Sequence, residues 1–440
     1  MDKASLVLCV LGCISAALAF TPFPISSTWP RRLDLRPSVT HPVISHHCKQ
    51  WHVRLSSSDP LEDLDEDRKA NLFQCLLRDL QIEGVPLLEC DADQASTLQA
   101  ALWTTMAELS EQDEAQKVCL VLESIGVEAL MTFVDDFLIL KTQSRLMDHL
   151  PESERFSIGV VGKRAGPAIV IETSKTLKSA NPPATLDEFK VNASMRSFVD
   201  RFIAGQEVCP YTKNANRAPE GLENVDIQPS QIGYRYCGFS EACHVLSSFW
   251  NCICEMLFVP DDELGSIVLT MPALSSTDDS SDSDSTSSHD GFAATAELIS
   301  RSLCLYRGDD VFEILHFHPL YDRNKIYPND QPAHGHLPPI SWLRSMLQQN
   351  GNQAESDSLS DSDLELSNYQ RRGPFPAVVI KRVSHFEALA GSANEIVDLE
   401  LEDGQVQKAS GVPCYARNAI KIAKEGEASL RDALAAEITK

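Results

Sequence analysis

Strand-like and helix-like segments alternate along residues 185–435, and this alternation limits the architectures open to the chain. Three short apolar runs have the length and composition of strands, and two longer segments between them carry apolar residues at helical spacing. The predicted strands are Ile232–Tyr236, Ile267–Met271 and Val311–Phe317, and the predicted helices are Glu241–Phe258 and Phe292–Tyr306. Because such alternation is typical of layered structures, the sequence predicts an α/β domain with helices packed on a sheet.

Residues 61–180 have a different pattern. Apolar side chains recur at helical spacing, as in Leu98, Leu102, Met106 and Leu109, and they predict a mostly helical region up to about residue 150. The runs Phe156–Val161 and Ala168–Thr173 are rich in β-branched residues and are separated by a Gly- and Pro-containing turn, which predicts a β-hairpin. The turn lacks the Gly-Lys-Ser/Thr ending of a phosphate-binding loop, so a plain turn is the favoured interpretation.

Two Ser/Asp-rich tracts interrupt the predicted α/β domain. The first covers residues 275–290 and holds only Ser, Asp, Thr and one His, and the second covers residues 350–367. Such segments bury too little apolar surface to offset the entropy lost on ordering. We therefore predict two disordered surface insertions, which serve either as acidophilic phosphorylation sites or as solvated loop extensions.

The N-terminus has the composition of two targeting signals in series. Residues 1–19 combine Lys3, an apolar run and an Ala-x-Ala cleavage motif, and thus predict a signal peptide. Residues 20–58 are rich in Arg, Ser and Thr and poor in acids, as transit peptides are. With Phe20 directly after the cleavage motif, the segment resembles the bipartite presequence of algae with secondary plastids. That resemblance implies a plastid location, and the alternative is secretion with a pro-region.

The charge balance narrows the range of partners. The 440 residues include 63 Asp and Glu against 38 Lys and Arg, a formal net charge of −25. This acidity argues against a nucleic-acid surface. The apolar run of the signal is too short to remain in a bilayer, so no membrane association is expected for the mature chain. The oligomeric state stays open.

Four cysteines, Cys237, Cys243, Cys252 and Cys254, cluster around His244 and could suggest a zinc site. However, no Cys-x-x-Cys pair occurs, and the surrounding apolar residues recur at helical spacing. On a helix Cys252 and Cys254 would point about 200° apart and could not face one ion. A buried helix is therefore favoured over a metal site.

Four short motifs follow one another in the α/β domain. They are Cys209-Pro210-Tyr211, Phe317-His318-Pro319-Leu320-Tyr321, Arg372-Gly373-Pro374-Phe375-Pro376, and Pro413 with Arg417-Asn418. Together they resemble the ordered signature CPF, FHPxY, NRSPYP and IPERN of a family of uncharacterised bacterial proteins, over roughly half of the chain. Arg371 stands where that family has Asn, and Gly373 replaces its Ser. The resemblance implies a fold and a site, and no activity.

The motif residues suggest a common site with two alternative roles. Cys209 lies on a predicted loop, where a nearby His318 or Arg372 could favour its thiolate and support nucleophilic catalysis. Arg372 and Tyr321 could bind a carboxylate or phosphate. We therefore predict that Cys209, His318, Tyr321 and Arg372 converge. The alternatives are a packed cysteine and an arginine that caps backbone carbonyls.

Histidines near these motifs suggest a second possibility. His316 and His318 are two apart on a predicted strand and share a face, and His334 and His336 form another pair. If both pairs met with a carboxylate such as Asp322, a divalent metal site would result. Loop histidines and one core histidine are the favoured interpretation, so no metal is predicted, and the cofactor is unknown.

Two functional hypotheses follow. In the first, the protein is an enzyme acting on a small anionic metabolite, with Arg372 and Tyr321 binding it and Cys209 or His318 serving as nucleophile or base. In the second, the same site only holds the metabolite, or the acidic Ser/Asp-rich loops dock a basic partner. Whether the chain is an enzyme is left undecided by the sequence.

Overall fold

The computed structural model describes the chain in segments. They are residues 74–75, 77–81, 83–89, 95–112, 116–122, 156–161, 168–173, 186–220, 226–275, 286–305, 308–326, 336–349, 353–385, 396–400, 406–410 and 412–438. The predicted signal and transit segments, residues 1–58, lie outside them. Contacts divide the chain into two units. The first contains Pro183–Ser240 and Cys252–Lys440, and the second contains Thr28–Pro182 and Glu241–Asn251.

The second unit is built on a four-stranded sheet. Its elements are β1 (Leu87–Glu89), α1 (Ala95–Ser110), β2 (Lys117–Val121), β3 (Phe156–Val161) and β4 (Ala168–Thr173). Strands β3 and β4 pair antiparallel, which confirms the predicted hairpin. The structure adds β1 and β2, giving the strand order β1-β2-β4-β3. The apolar residues predicted to line one face of α1, Leu98, Leu102, Met106 and Leu109, are all buried, as expected of a helix that packs one face into a core.

The first unit contains a mixed five-stranded sheet. Its strands are β5 (Arg217–Ala218), β6 (Ser230–Tyr236), β7 (Leu264–Thr270), β8 (Phe312–Phe317) and β9 (Ala377–Arg382). They lie in the order β5-β6-β7-β9-β8, with β6 and β7 parallel and the other neighbours antiparallel. The predicted strands at residues 267–271 and 311–317 therefore belong to one sheet, as expected. A separate antiparallel pair is formed by β10 (Ile396–Glu400) and β11 (Val406–Ser410).

Helices flank this sheet, so the α/β class is confirmed. They are α2 (Glu188–Phe198), which continues as a π-helical turn Val199–Ala204, α3 (Ala242–Phe258), α4 (Thr286–Leu305), α5 (Arg323–Ile326), α6 (Ile340–Gln349), α7 (Gln353–Ser358), α8 (Asp361–Glu365), α9 (Val412–Glu425) and α10 (Glu427–Ile438). A 3₁₀-helix, Leu366–Arg371, follows α8 directly. The core of this unit joins apolar residues of α2, β6, β8 and the 3₁₀-helix, including Phe198, Tyr234, Phe317 and Tyr369.

The predicted disordered insertion at 350–367 is wrong from Gln353 onward. That segment forms α7, α8 and the start of the 3₁₀-helix, and Leu364 is fully buried beside α6 and α9. Local polar contacts compensate for the few apolar residues. Ser360 and Asp363 form a capping box at α8, and Arg344 of α6 forms an ion pair with Asp361 at 2.6 Å. Of the first tract, residues 276–285 lie outside the described segments, and Thr286 begins α4.

None of the helices in the described segments is long and apolar enough to cross a membrane.

Candidate functional site

The turn after β8 brings three of the four predicted site residues together. The Tyr321 amide donates to the His318 carbonyl at 3.0 Å, which closes the turn. The His318 amide donates to the carbonyl of Arg371 at 3.0 Å, and Arg372 Nε donates to the Tyr321 carbonyl at 3.1 Å. The end of the 3₁₀-helix is thus tied to this turn by backbone groups. These bonds make His318, Tyr321 and Arg372 neighbours through the backbone; the convergence of their side chains with Cys209 in one site stays a prediction.

His318 is buried and its ring is engaged in the turn. Its Nδ1 accepts a hydrogen bond from the Leu320 amide at 3.1 Å, so Nδ1 carries no proton and the neutral ring is protonated at Nε2. The ring stacks on Phe292 of α4, with 5.1 Å between centroids. Because Nδ1 already accepts a hydrogen bond from the backbone, that nitrogen does not serve as the base of the enzyme hypothesis.

Tyr321 is fully buried, and its hydroxyl points away from Arg372. The hydroxyl accepts from the Leu337 amide at 3.1 Å and lies 3.2 Å from His336 Nδ1. Burial raises its pKa to about 12, against a smaller opposite effect of the Arg371 charge. The phenol is therefore neutral at physiological pH. Its carbonyl, rather than its hydroxyl, contacts Arg372.

Arg371 and Arg372 face different surroundings although they are adjacent. Arg371 ends the 3₁₀-helix, whereas Arg372 has an extended backbone, with φ −85° and ψ 100°. Arg372 is half-buried, and its guanidinium lies 4.3 Å from the centroid of the Tyr369 ring. Besides its bond to the Tyr321 carbonyl, this arginine has no ion pair within the described segments. Arg372 therefore caps one backbone carbonyl, as the alternative interpretation of this arginine predicted.

Arg371 is the more unusual of the two. It is only 4% exposed, and its guanidinium lies 5.3 Å from the Phe317 ring centroid and 5.7 Å from that of Tyr415. Its hydrogen bond runs from Nη2 to the Tyr415 hydroxyl at 2.9 Å. The Nε–H group is buried without a hydrogen-bond partner, and no carboxylate within the described segments pairs with this cation. A buried guanidinium with an unused donor is energetically costly.

Cys209 approaches the same region from the loop after the π-helical turn. The thiol is half-buried, and the Cys209 amide donates to the Ile203 carbonyl at 3.2 Å. The carbonyl of the preceding residue, Val208, accepts from Cys414 Sγ at 3.3 Å and from Asn418 Nδ2 at 2.7 Å. The Cys209 loop therefore lies against α9, the helix that carries Tyr415.

Helix α9 supplies the residues that the sequence analysis did not assign to the site. Asn418 Nδ2 donates to the Val208 carbonyl at 2.7 Å and to Gln370 Oε1 at 3.0 Å, which links the Cys209 loop to the 3₁₀-helix. Its Oδ1 atom is buried without a partner. We call the group of Arg371, Arg372, Tyr415, Asn418 and Cys209 the arginine cluster. The motif formed by Pro413 and Arg417-Asn418 pointed to α9 in the sequence. No feature of the sequence pointed to Tyr415.

The other histidines lie close to His318 and Tyr321. His316 shares a face with His318, since both rings approach Phe292, and it lies 5.1 Å from His336 between ring centroids. His334 lies outside the described segments. One histidine of each pair is thus adjacent to the other, and a metal site that uses both pairs, which the sequence did not favour, is not tested.

The four clustered cysteines are buried, and the predicted core helix is present as α3. Cys237 Sγ donates to the Phe239 carbonyl at 3.7 Å. Burial raises the pKa of Cys252 to about 12, as expected of an inert core thiol. A different set, Glu241, Cys243 and His244, brings three potential metal-binding atoms within 4.8 Å of one another.

No protein-family model matches the chain, and no similar curated protein or solved structure was found.

Proposed function

We propose that the unit with the five-stranded sheet binds a small anionic metabolite at the arginine cluster. The observation that carries this proposal is the nearly complete burial of Arg371 without a carboxylate partner within the described segments. Contacts with two aromatic rings offset part of the cost of the buried charge, but they leave the Nε–H donor unused. An anionic oxygen would satisfy both the charge and the donor.

The environment of the cluster also suggests which ligand features matter. Arg371 offers a hydrogen-bond donor, and Asn418 Oδ1 offers a buried acceptor. The remaining guanidinium nitrogens of the half-buried Arg372 are the more accessible donors. A carboxylate or phosphate that also carries a hydroxyl or amino group fits this mixture. The proposed ligand class is therefore a small hydroxylated or aminated organic anion.

Catalysis by Cys209 is the second candidate. It is supported by the half-buried thiol and by the contacts of its loop with α9, whose Tyr415 binds Arg371. Binding is favoured because the ring of His318 is engaged in its own turn and the Tyr321 hydroxyl faces His336. A role for either residue in a reaction rests on the motif resemblance. Docking of a basic partner by the tract at 353–367 is less favoured, since Arg344 already pairs with Asp361 there.

A thermal-shift experiment on the full chain tests anion binding. The probes are inorganic phosphate, sulfate, malate and glutamate, each measured against chloride at equal ionic strength. We expect at least one probe to raise the melting temperature of the wild type, and Arg371→Met to abolish that increase. The control is Arg301→Met, because Arg301 is an exposed arginine paired with Glu297 at 2.6 Å. Equal stabilisation of wild type and Arg371→Met would contradict the proposal.

The proposed location is the plastid of an alga with secondary plastids, supported by the Ala-x-Ala motif, Phe20 and the Arg- and Ser-rich segment after it. A fluorescent tag at the C-terminus should label plastids, and replacement of Phe20 by Ala should retain the tag in the secretory pathway. A signal found only in the medium would favour secretion instead.

A further inference from the structure

A second group of reactive side chains lies far along the sequence from the arginine cluster, in the unit with the four-stranded sheet. Glu241 directly precedes helix α3, and Cys243 and His244 lie in its first turn; all three are buried, at 6%, 1% and 7% exposure. A carboxylate oxygen, a thiol sulfur and an imidazole nitrogen of these residues lie within 4.8 Å of one another. Buried cores rarely collect these three chemical types unless they serve a structural or binding role.

We propose that Glu241, Cys243 and His244 bind a zinc ion at the start of α3. Carboxylate, thiolate and imidazole are the ligand types that zinc takes in proteins. The separation of His244 Nε2 and Glu241 Oε2 is 3.8 Å. Bonds of about 2.0–2.1 Å to N and O in a tetrahedral site place these two ligands about 3.4 Å apart, so a small side-chain adjustment suffices.

The end of α1 provides the remaining parts of the site. Glu111 Oε1 lies 3.9 Å from His244 Nδ1, and its side chain is more than half exposed. Ser110 Oγ lies 3.0 Å from His244 Nε2 and 3.7 Å from Cys243 Sγ. With Nε2 bound to zinc, Glu111 can accept from the opposite nitrogen, Nδ1, and orient the imidazole as an outer-sphere partner. Ser110 Oγ, which lies beside Nε2 and Cys243 Sγ, or a water in its place, completes the fourth position. The bound ion would hold the start of α3 against the end of α1.

This assignment differs from a site made of the four clustered cysteines. Cys252 lies more than two turns further along α3, and Cys237 precedes the helix, so neither belongs to the three-residue group. The short spacing Glu-x-Cys-His within one helical turn, rather than a pair of Cys-x-x-Cys motifs, carries the proposal. On binding, the Cys243 thiol releases its proton to solvent and coordinates as a thiolate.

Zinc titration of the metal-stripped full chain against a chromophoric chelator tests the proposal. We expect one tightly bound equivalent, and at least about 100-fold weaker binding in Cys243→Ser and His244→Gln. Cys252→Ser is the matched control, because it removes a buried thiol from the same helix outside the group, and it should bind zinc as the wild type does. Circular dichroism checks that each variant is folded, and Glu241→Gln provides a variant of nearly unchanged shape.

Cobalt substitution identifies the ligands directly. A thiolate-to-cobalt charge-transfer band should appear in the wild type and in Cys252→Ser, and it should be absent in folded Cys243→Ser. Absence of a tight equivalent in the wild type, or equal affinity in the wild type and Cys243→Ser, would overturn the proposal.

Discussion

Two buried arginines in the same unit differ in how their charge is compensated. Arg382, at the end of β9, is 7% exposed and donates to the carbonyls of Leu264, Met256 and Val259 at 3.2, 2.6 and 2.9 Å. It also forms an ion pair with Asp261 at 3.0 Å. Arg371 is equally buried, but its hydrogen bond within the described segments goes only to the Tyr415 hydroxyl.

The two arginines thus differ in how completely the described residues satisfy their donors. Arg382 joins the end of α3 and the segment after it to the sheet, and each of its nitrogen atoms has a protein acceptor. Arg371 keeps a buried donor that the protein does not use. Because a buried cation is costly to retain without a counter-ion, the arrangement at Arg371 is understandable if an anion completes it.

The largest expected effect concerns stability. Arg382→Met should lower the free energy of unfolding by about 3 kcal/mol or more, because three carbonyls lose their donor at roughly 1 kcal/mol or more each. Arg371→Met should stay within about 1 kcal/mol of the wild type, because loss of the Tyr415 bond is offset by relief of the buried charge. Urea unfolding of the two variants measures both changes. Equal destabilisation would show that Arg371 is structural.

The next effect concerns ligand affinity. Removal of one charge-assisted hydrogen bond costs about 1.5–3 kcal/mol, so Arg371→Met should weaken binding of the best anion roughly 10- to 100-fold. Arg372→Met should weaken it less, because Arg372 is half-buried and already donates to the Tyr321 carbonyl. Calorimetric titration of the wild type and both variants gives the three affinities. A larger loss in Arg372→Met would restore Arg372 as the principal binding residue.

A smaller effect concerns the dependence of stability on pH. It depends on Tyr321, whose phenolate would be favoured by the nearby charge of Arg371. The pKa of Tyr321 is raised to about 12, whereas an unfolded tyrosine ionises near pH 10. Between these values the folded state binds more protons, so its stability falls as the pH rises above about 10. Tyr321→Phe should make this alkaline decline shallower. Unfolding free energies of the wild type and Tyr321→Phe at pH 8, 10 and 11 measure this decline. An equal decline in both proteins would contradict the raised pKa of Tyr321.

The smallest effect concerns the reactivity of Cys209. A bound anion at Arg371 should slow alkylation of the half-buried Cys209 by iodoacetamide, because the Cys209 loop lies against α9, which carries the Tyr415 partner of Arg371. The exposed Cys75 serves as an internal control and should react at the same rate with and without anion. Mass spectrometry of the labelled peptides gives both rates. If the anion slows alkylation of both cysteines, or of neither, Cys209 does not belong to the anion site.

The sequence predicted the elements whose signals are local. The strands at residues 267–271 and 311–317 were recognisable as short apolar runs, and α3 by its helical spacing. The helices at 353–365 were missed because their composition is dominated by Ser and Asp. A capping box at Ser360, the ion pair of Asp361 with Arg344 and the buried Leu364 hold them against α6 and against α9, which is about 50 residues further along the chain.

The candidate site was predictable in its location and less so in its residues. The motifs identified the turn at His318 and Arg372, since both lie at the ends of elements, whereas Arg371 was noted only as a departure from the family motif. Which of the two arginines faces inward depends on where the 3₁₀-helix ends, and neither composition nor spacing encodes that. Tyr415 approaches Arg371 from α9, and a contact across 44 positions leaves no local pattern.

The most direct test of anion binding at Arg371 is a titration followed by NMR at the arginine Nε–H groups. The Arg371 signal is identified by its absence in Arg371→Met, and the Arg382 signal by its absence in Arg382→Lys. Inorganic phosphate and malate are the probes, added to the full chain. If Arg371 binds the anion, we expect a large, saturable shift of the Arg371 signal, with the Arg382 signal unchanged. An Arg371 signal that stays in place while both probes are raised to saturating concentration would contradict it.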